Sequence, residues 1–278
     1  MRIAITGALG QLGRALQTAL AEDDLILIDV PDWDITDPGC VSRMVQLKPE
    51  LVIHCAAMTD VDGCARNPDL AYHVNAFGTQ NVALACQRVG AGMMHISTNE
   101  VFDGTATQPY REFDAAHPIN AYGASKLAAE QIASRLVSRL YIVRTSWLFS
   151  PGGNNFVSKV ITRAGQHGQL HIVTDEVANP AYAPDLAYAI LRLIQTEHYG
   201  LYHLTNEGYC SRFEFAVEIL RQSGQGSVPV YPITSDQYQR ASTPPPFAPL
   251  RNTIGAALGI SLRPWQEALA SYFGETGC

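Results

Sequence analysis

The chain has 278 residues, 47% of them hydrophobic and 16% charged, with a formal net charge of −7. That composition excludes a disordered or collagen-like chain and leaves room for one large α/β domain with a smaller appendage. The negative balance excludes a binder of the nucleic-acid backbone, whose affinity comes from cationic neutralisation of phosphates. Six cysteines, Cys40, Cys55, Cys64, Cys86, Cys210 and Cys278, are scattered without Cys-x-x-Cys or Cys/His ligand spacing and read as idle thiols. No run reaches the ~18 apolar residues of a membrane span and no apolar leader precedes the first strand, so a cytoplasmic protein without membrane partners is expected.

In chain order, strands are predicted at Arg2-Thr6, Leu25-Asp29, Leu51-His54, Met93-Ser97 and Leu140-Arg144. Between them lie stretches such as Gln11-Ala21 and Asp69-Val89, where apolar residues recur at helical spacing, the second stopped by Gly90. This alternation predicts a doubly wound parallel sheet. The rhythm breaks at Ser150-Pro151-Gly152-Gly153-Asn154-Asn155, a loop, followed by a helix over Phe156-Ala164. A helix over Ala183-Gln195 and a strand at Gly200-Leu204 predict a return to the sheet. Thr243-Pro244-Pro245-Pro246 predicts a rigid extended loop. The fold class expected is therefore α/β: a Rossmann-type doubly wound parallel sheet, residues 1–147 and 170–204, with a smaller, discontinuous α+β lobe, residues 148–169 and 205–278.

Gly7-Ala8-Leu9-Gly10-Gln11-Leu12-Gly13 lies directly between the first strand and the first helix. Glycines there permit a tight turn and bring backbone N–H groups against a pyrophosphate, which predicts a dinucleotide site. Asp29 ends the second strand, where a carboxylate accepts hydrogen bonds from an adenosine ribose and repels a 2′-phosphate, favouring NADH over NADPH. Arg14 is the nearby residue able to accommodate such a phosphate. Asp34-Ile35 offers a carboxylate and an apolar surface to adenine, or an N-cap for the next helix.

Tyr122 and Lys126, in Ala121-Tyr122-Gly123-Ala124-Ser125-Lys126, stand four residues apart on a predicted helix and so share a face. An ammonium beside a phenol lowers the phenol's pKa and makes it a better proton donor. Ser97-Thr98 falls at the carboxyl end of the fourth strand, the edge at which open α/β sheets bind ligands.

The glycine turn, Ser97-Thr98 and the Tyr-x-x-x-Lys helix together resemble the extended short-chain dehydrogenase/reductases. Within them the chain is similar to the dTDP-4-dehydrorhamnose reductases over nearly its whole length. The shared motifs are Thr59-Asp60-Val61-Asp62, Val74-Asn75-Ala76, Ser97-Thr98 before Val101-Phe102, Arg144-Thr145-Ser146-Trp147, Asn155-Phe156 and Gly200-Leu201-Tyr202-His203. The resemblance implies transfer of hydride from NADH or NADPH to the C4 carbonyl of a nucleotide-linked 4-keto-6-deoxyhexose. It implies Tyr122 as proton donor, Thr98 as hydrogen-bond partner of the carbonyl oxygen, and Lys126 on the nicotinamide ribose. It further implies a cofactor site lined by Gly7, Gly10, Gln11, Leu12, Gly13, Asp29, Asp34, Ile35, Ala57, Met58 and Thr59 beside Tyr122 and Lys126. Val61, Thr98, Asn99, Glu100 and Trp147 would border the sugar, with core packing as the other reading of Trp147. A homodimer is the assembly that relatives suggest, and no carboxylate cluster places a metal.

Three departures stand out. Asn99-Glu100 replaces the usual Asp-Tyr; Glu176, Ala178 and Ala181 replace Gln, Gly and Thr; and Pro244 replaces an arginine expected near the nucleotide phosphates. Arg240 and Arg251 are the nearest substitutes in sequence. They qualify the dTDP end more than the redox end. Two other functions fit the same fold: a non-catalytic dinucleotide-binding regulatory subunit resembling the β subunit of methionine adenosyltransferase, and a nucleotide-sugar epimerase or dehydratase that recycles its cofactor.

Overall fold

The computed structural model describes residues 1–276, and Cys278 lies outside the described residues. Its centre is a six-stranded sheet of β1 (Arg2–Thr6), β2 (Asp24–Ile28), β3 (Leu51–His54), β4 (Gly92–Thr98), β5 (Leu140–Thr145) and β6 (Gly200–His203). The spatial order is β6-β5-β4-β3-β1-β2, every pair parallel. Parallel strands are buried on both faces, which is why they read as apolar runs. In β1, Ile3 and Ile5 face Leu12 and Leu16 of α1 (Gln11–Ala19) and Leu186, Ile190 and Leu193 of α8 (Ala183–Ile194). Ala4, between them, faces Met44 of α2 (Gly39–Leu47), Val82 and Cys86 of α5 (Gly78–Val89), and Ala133 of α6 (Ala121–Leu136). The doubly wound sheet expected from the sequence is thus present.

After β1 the chain runs outward to β2 and then crosses back over β1 to β3. The strand order reverses between β1 and β3, opening a crevice at their carboxyl ends, where such sheets bind ligands.

Asp69-Val89 is not the single helix its periodicity predicts. It divides into α4 (Pro68–Tyr72), a π-helical turn (His73–Phe77) and α5. The wider turn carries Asn75, buried at 1% exposure, across to neighbouring segments, a use to which π turns are often put. A second difference concerns residues 170–204, assigned above to the sheet domain. The strand Leu170–Val173 pairs instead with Val230–Ile233, and Leu170 packs into a separate cluster with Phe149, Phe215 and Leu269. Helices α7 (Phe156–His167), α9 (Arg212–Gln222) and Trp265–Thr276 supply much of that cluster. Thr243-Pro246 forms no regular element, and the Pro246 carbonyl accepts a hydrogen bond from Val177 N at 2.8 Å.

Helix α6 is held on the sheet by a buried ion pair. Arg144 Nε and Nη2 of β5 donate to Glu130 Oε1 and Oε2 at 2.9 and 2.7 Å, and Ser97 Oγ of β4 donates to Oε1 at 2.5 Å. Both charged side chains are 5% exposed. Replacing Arg144 by Met strands the Glu130 carboxylate in the interior and should cost about 3–5 kcal/mol, read as a lower urea midpoint with unchanged slope. The double variant with Glu130→Gln should recover part of that loss. No recovery would mean the pair is not what anchors α6.

Candidate active site

The residues singled out from sequence gather along the carboxyl edge of the sheet: the glycine turn after β1, Asp29 after β2, Ala57–Thr59 after β3, Thr98 closing β4 and Trp147 after β5. The turn after β1 is built for close approach. Gly7 has φ +68°, and a Cβ on Gly13 would lie 2.3 Å from the Gly7 carbonyl oxygen. Gly10 caps α1 without a side-chain hydrogen bond, so the first N–H groups of the helix are left for an anion. These residues fit the diphosphate of a dinucleotide.

Asp29 braces this turn, accepting from Leu9 N at 2.7 Å and Val30 N at 2.8 Å, one bond on each oxygen. A carboxylate has further acceptor sites, and Asp29 is half-buried. Gln11 Oε1 receives Ser150 Oγ at 3.1 Å and Asn155 Nδ2 at 2.9 Å, tying the start of α1 to the loop ahead of α7. Met58 is clamped by Asn75, which accepts from Met58 N at 2.7 Å and donates to its carbonyl at 3.1 Å. The same Asn75 amide donates to Ser125 Oγ at 2.9 Å, joining the loop after β3 to α6. Asp34 is exposed and closes a turn onto Thr36 N and Oγ1, both at 2.8 Å; it does not cap α2, which begins at Gly39. The Ile35 side chain is in the core against Gly78, with little surface left for a ligand.

Tyr122 and Lys126 lie on the first turns of α6, and Tyr122 lies beside Thr98. Asn120 caps this helix through Gly123 N at 2.8 Å. The Glu100 carbonyl lies so close over Gly123 that a Cβ would fall 1.9 Å from it, so only glycine lets Tyr122 come this near Thr98. Burial, followed by the Glu100 charge, holds the Tyr122 phenol above its ordinary value and keeps it protonated. Lys126, 2% exposed, is brought down to about 8 by burial, with Glu130 one turn along pulling the other way. His54, which Lys126 also faces, is neutral: burial takes it down to about 3, and its ring bonds Thr6 and Thr79 at 2.7 and 2.9 Å.

Beyond Thr98, Asn99 is 4% exposed and donates to the Ala248 carbonyl at 3.2 Å, a bond that an aspartate has no proton to make. Its side chain ties two segments together, and its Oδ1 accepts from Thr98 Oγ1 at 3.3 Å. Glu100 is half-buried; burial raises its carboxyl above the usual value against the opposing Asn120 bond, at 2.7 Å, and the charges of Arg240 and Arg212. Val61 opens α3 (Val61–Arg66). Trp147 has φ +37°, a strained conformation for an aromatic residue, and its ring carries the Arg212 guanidinium 3.6 Å above it.

Arg240, Arg251, Glu176, Ala178 and Ala181, named from the sequence, take up different places, and Arg212 carries no sequence signal. Arg240 bonds Asp62 at 3.1 Å and Glu176 at 3.2 Å, whereas Arg251 lies apart beside Tyr110 and His117. Arg212 reads in sequence as an ordinary first residue of α9 after the Ser211/Glu214 capping box, and only tertiary packing sets it on Trp147. Ala178 and Ala181 are buried pairing residues of two short strands. Among the described residues no cluster of three or more His, Cys, Asp or Glu forms a metal site, and no helix is long and apolar enough to cross a membrane.

A parallel doubly wound sheet with a glycine turn after β1, and with Thr98, Tyr122 and Lys126 at its carboxyl edge, has the architecture of the extended short-chain dehydrogenase/reductases. The family model described as the RmlD substrate binding domain matches residues 1–277, and the chain belongs to that family. It is 38% identical to a dTDP-4-dehydrorhamnose reductase of Mycobacterium tuberculosis, over 97% of this chain and 91% of the relative. It is 36% identical to the spore coat polysaccharide biosynthesis protein SpsK of Bacillus subtilis, over 99% and 97%. The crystal structure of a dTDP-4-dehydrorhamnose reductase from Clostridium acetobutylicum superposes with a TM-score of 0.96 at 42% identity, covering all of both chains. That of the Bacillus anthracis enzyme, in complex with NADP, gives 0.94 at 41% identity over 99% of each.

The chain contains three lysines, Lys48, Lys126 and Lys159. In an NMR titration of labelled lysine side chains, the Lys126 signal should carry its charge below pH about 8 and lose it above. The early signal should vanish in Lys126→Met. A Lys126 signal that titrates at the ordinary lysine value of ~10.4 would mean that Lys126 is not buried as described.

Proposed function

We propose that this protein reduces the C4 keto group of a nucleotide-linked 4-keto-6-deoxyhexose, a dTDP sugar above all, at the expense of NADPH or NADH. The observation that carries this reading is Tyr122 beside Thr98 and one helical turn from buried Lys126, next to a glycine turn shaped for a diphosphate. Relatives over nearly the full length, named as dTDP-4-dehydrorhamnose reductases, support the substrate class. The relative in complex with NADP supports the phosphorylated cofactor as well as NADH.

The reduced nicotinamide, when bound, supplies the hydride. Every other requirement falls to side chains of this chain. The glycine turn and the uncapped N–H groups of α1 hold the diphosphate, with Asp29 bracing the turn at Leu9. Gly7, Gly10, Gln11, Leu12, Gly13, Ala57, Met58 and Thr59 line this end. Lys126 holds the nicotinamide ribose and, while charged, favours release of the Tyr122 proton. Tyr122, kept protonated by burial, donates that proton to the carbonyl oxygen as negative charge builds there, and Thr98 supplies a hydrogen bond to the same oxygen. Val61, Glu100 and Trp147 border the hexose.

In this reading the cofactor domain comprises residues 1–147 and the return through α8 and β6, and the remaining segments form the substrate lobe. The protein is a cytoplasmic enzyme, with a homodimer as the assembly to test by light scattering. A regulatory subunit needs no proton donor, and an epimerase or dehydratase consumes no cofactor overall. Oxidation of NADPH and NADH should be followed with a panel of dTDP-linked 4-keto sugars. Tyr122→Phe should lower kcat by roughly 10²–10⁴-fold while binding NADPH near-normally. Absence of turnover with the whole panel despite bound cofactor overturns the reductase reading; equal loss of binding and turnover in Tyr122→Phe makes that residue structural.

A further inference from the structure

The sugar-facing end of the site holds five charged side chains from both parts of the molecule, and their hydrogen bonds are unevenly spent. Arg240 makes two hydrogen bonds, Nε to Asp62 Oδ1 at 3.1 Å and Nη1 to Glu176 Oε1 at 3.2 Å. Asp62 also accepts Ser242 N at 3.0 Å, so this pair locks the loop carrying Arg240 onto α3. Arg212 differs. Its side chain makes no hydrogen bond within the described residues, and its nearest carboxylate oxygen, Glu176 Oε2, is 3.8 Å away. It is oriented by stacking 3.6 Å over Trp147 and 4.7 Å over Phe156, and its unbonded N–H groups are not among the sealed, partnerless polar atoms of the interior. Glu100 is likewise half-used: Oε2 accepts from Asn120 at 2.7 Å, and Oε1 accepts nothing. Glu100 and Arg212 feel each other's charge but form no direct ion pair.

We propose that Glu100 and Arg212 bracket one hydroxyl group of the hexose, Glu100 Oε1 accepting its proton and an Arg212 N–H donating to its oxygen. This inference rests on the reductase reading and deepens it by naming what the departure at position 100 recognises. A hydroxyl is both donor and acceptor and satisfies the two groups together. A carboxylate or phosphate in that position is repelled by Glu100, an ammonium by Arg212, and a methyl group leaves Glu100 Oε1 and the Arg212 N–H groups without hydrogen bonds. Both partners are fixed in advance, Glu100 by Asn120, and Arg212 by Trp147, Phe156 and the Glu176 charge, so little ordering is needed on binding.

The test compares kcat/KM for a dTDP-4-keto-6-deoxyhexose with its 2-deoxy and 3-deoxy analogues, in the full chain with NADPH. The wild type should disfavour one of the two analogues by about tenfold to a hundredfold. In Glu100→Gln and in Arg212→Gln that ratio should collapse to within about threefold, with NADPH affinity reporting that each variant is folded. If one variant fails to bind NADPH, the other carries the comparison. Equal use of both analogues by the wild type, or an unchanged ratio in both variants, overturns the inference while leaving the reductase reading intact. No turnover of any of the three sugars by the wild type overturns the reading itself, and the bracket with it.

Discussion

The site depends on how one helix is seated. Tyr122, Lys126 and Glu130 follow one another at intervals of four on α6 and therefore share one stripe of it. The innermost, Glu130, is gripped by Arg144 and Ser97 from two adjacent strands. A bidentate pair of this kind fixes both the distance and the rotation of the helix, which apolar packing alone does loosely. Rotation is what the chemistry requires, because it sends Lys126 into the interior and leaves Tyr122 at the rim, against Thr98. Glu130 also opposes the desolvation of Lys126, so the anchor of the helix helps to keep a charge on its buried amine.

The same economy holds at the rim. Asn120 caps α6 with its oxygen while its amide orients Glu100 and reaches the Thr243 carbonyl. Asn75, presented by a π turn, holds the loop after β3 and Ser125 of α6 together. Gln11 ties the cofactor turn to the loop before α7. Each amide bridges segments distant in sequence, and so the two halves of the site keep their registration.

The first half of the fold was legible in the sequence because parallel strands buried on both faces leave apolar runs, and helices over them leave a helical period. Arg2–Thr6 and Leu51–His54 form at the predicted bounds, and Thr98 closes β4 one residue beyond its predicted end. The break within Asp69-Val89 was not legible, since a π turn shifts the helical phase without changing composition. Nor was the partner of Leu170–Val173, because strand propensity carries no information on pairing across some sixty residues. At the site, the bond from Asn99 to the Ala248 carbonyl, 149 residues away, has no local signal in the sequence. Arg212 gave no sign at all, its neighbours Trp147 and Phe156 being many residues away.

By itself, then, the sequence determined the class of sheet, the glycine turn and the Tyr-x-x-x-Lys spacing, because each depends on residues close together along the chain. Only the tertiary structure decided which side chains share the sugar-facing end and which of them have hydrogen bonds left to give. Arg240 gives two hydrogen bonds, to Asp62 and Glu176, while the Arg212 side chain gives none and Glu100 keeps one oxygen unbonded. That difference arises from contacts among α3, α6, α9 and the proline-rich loop, whose approach is set by burial and charge pairing across the whole chain rather than by any local pattern.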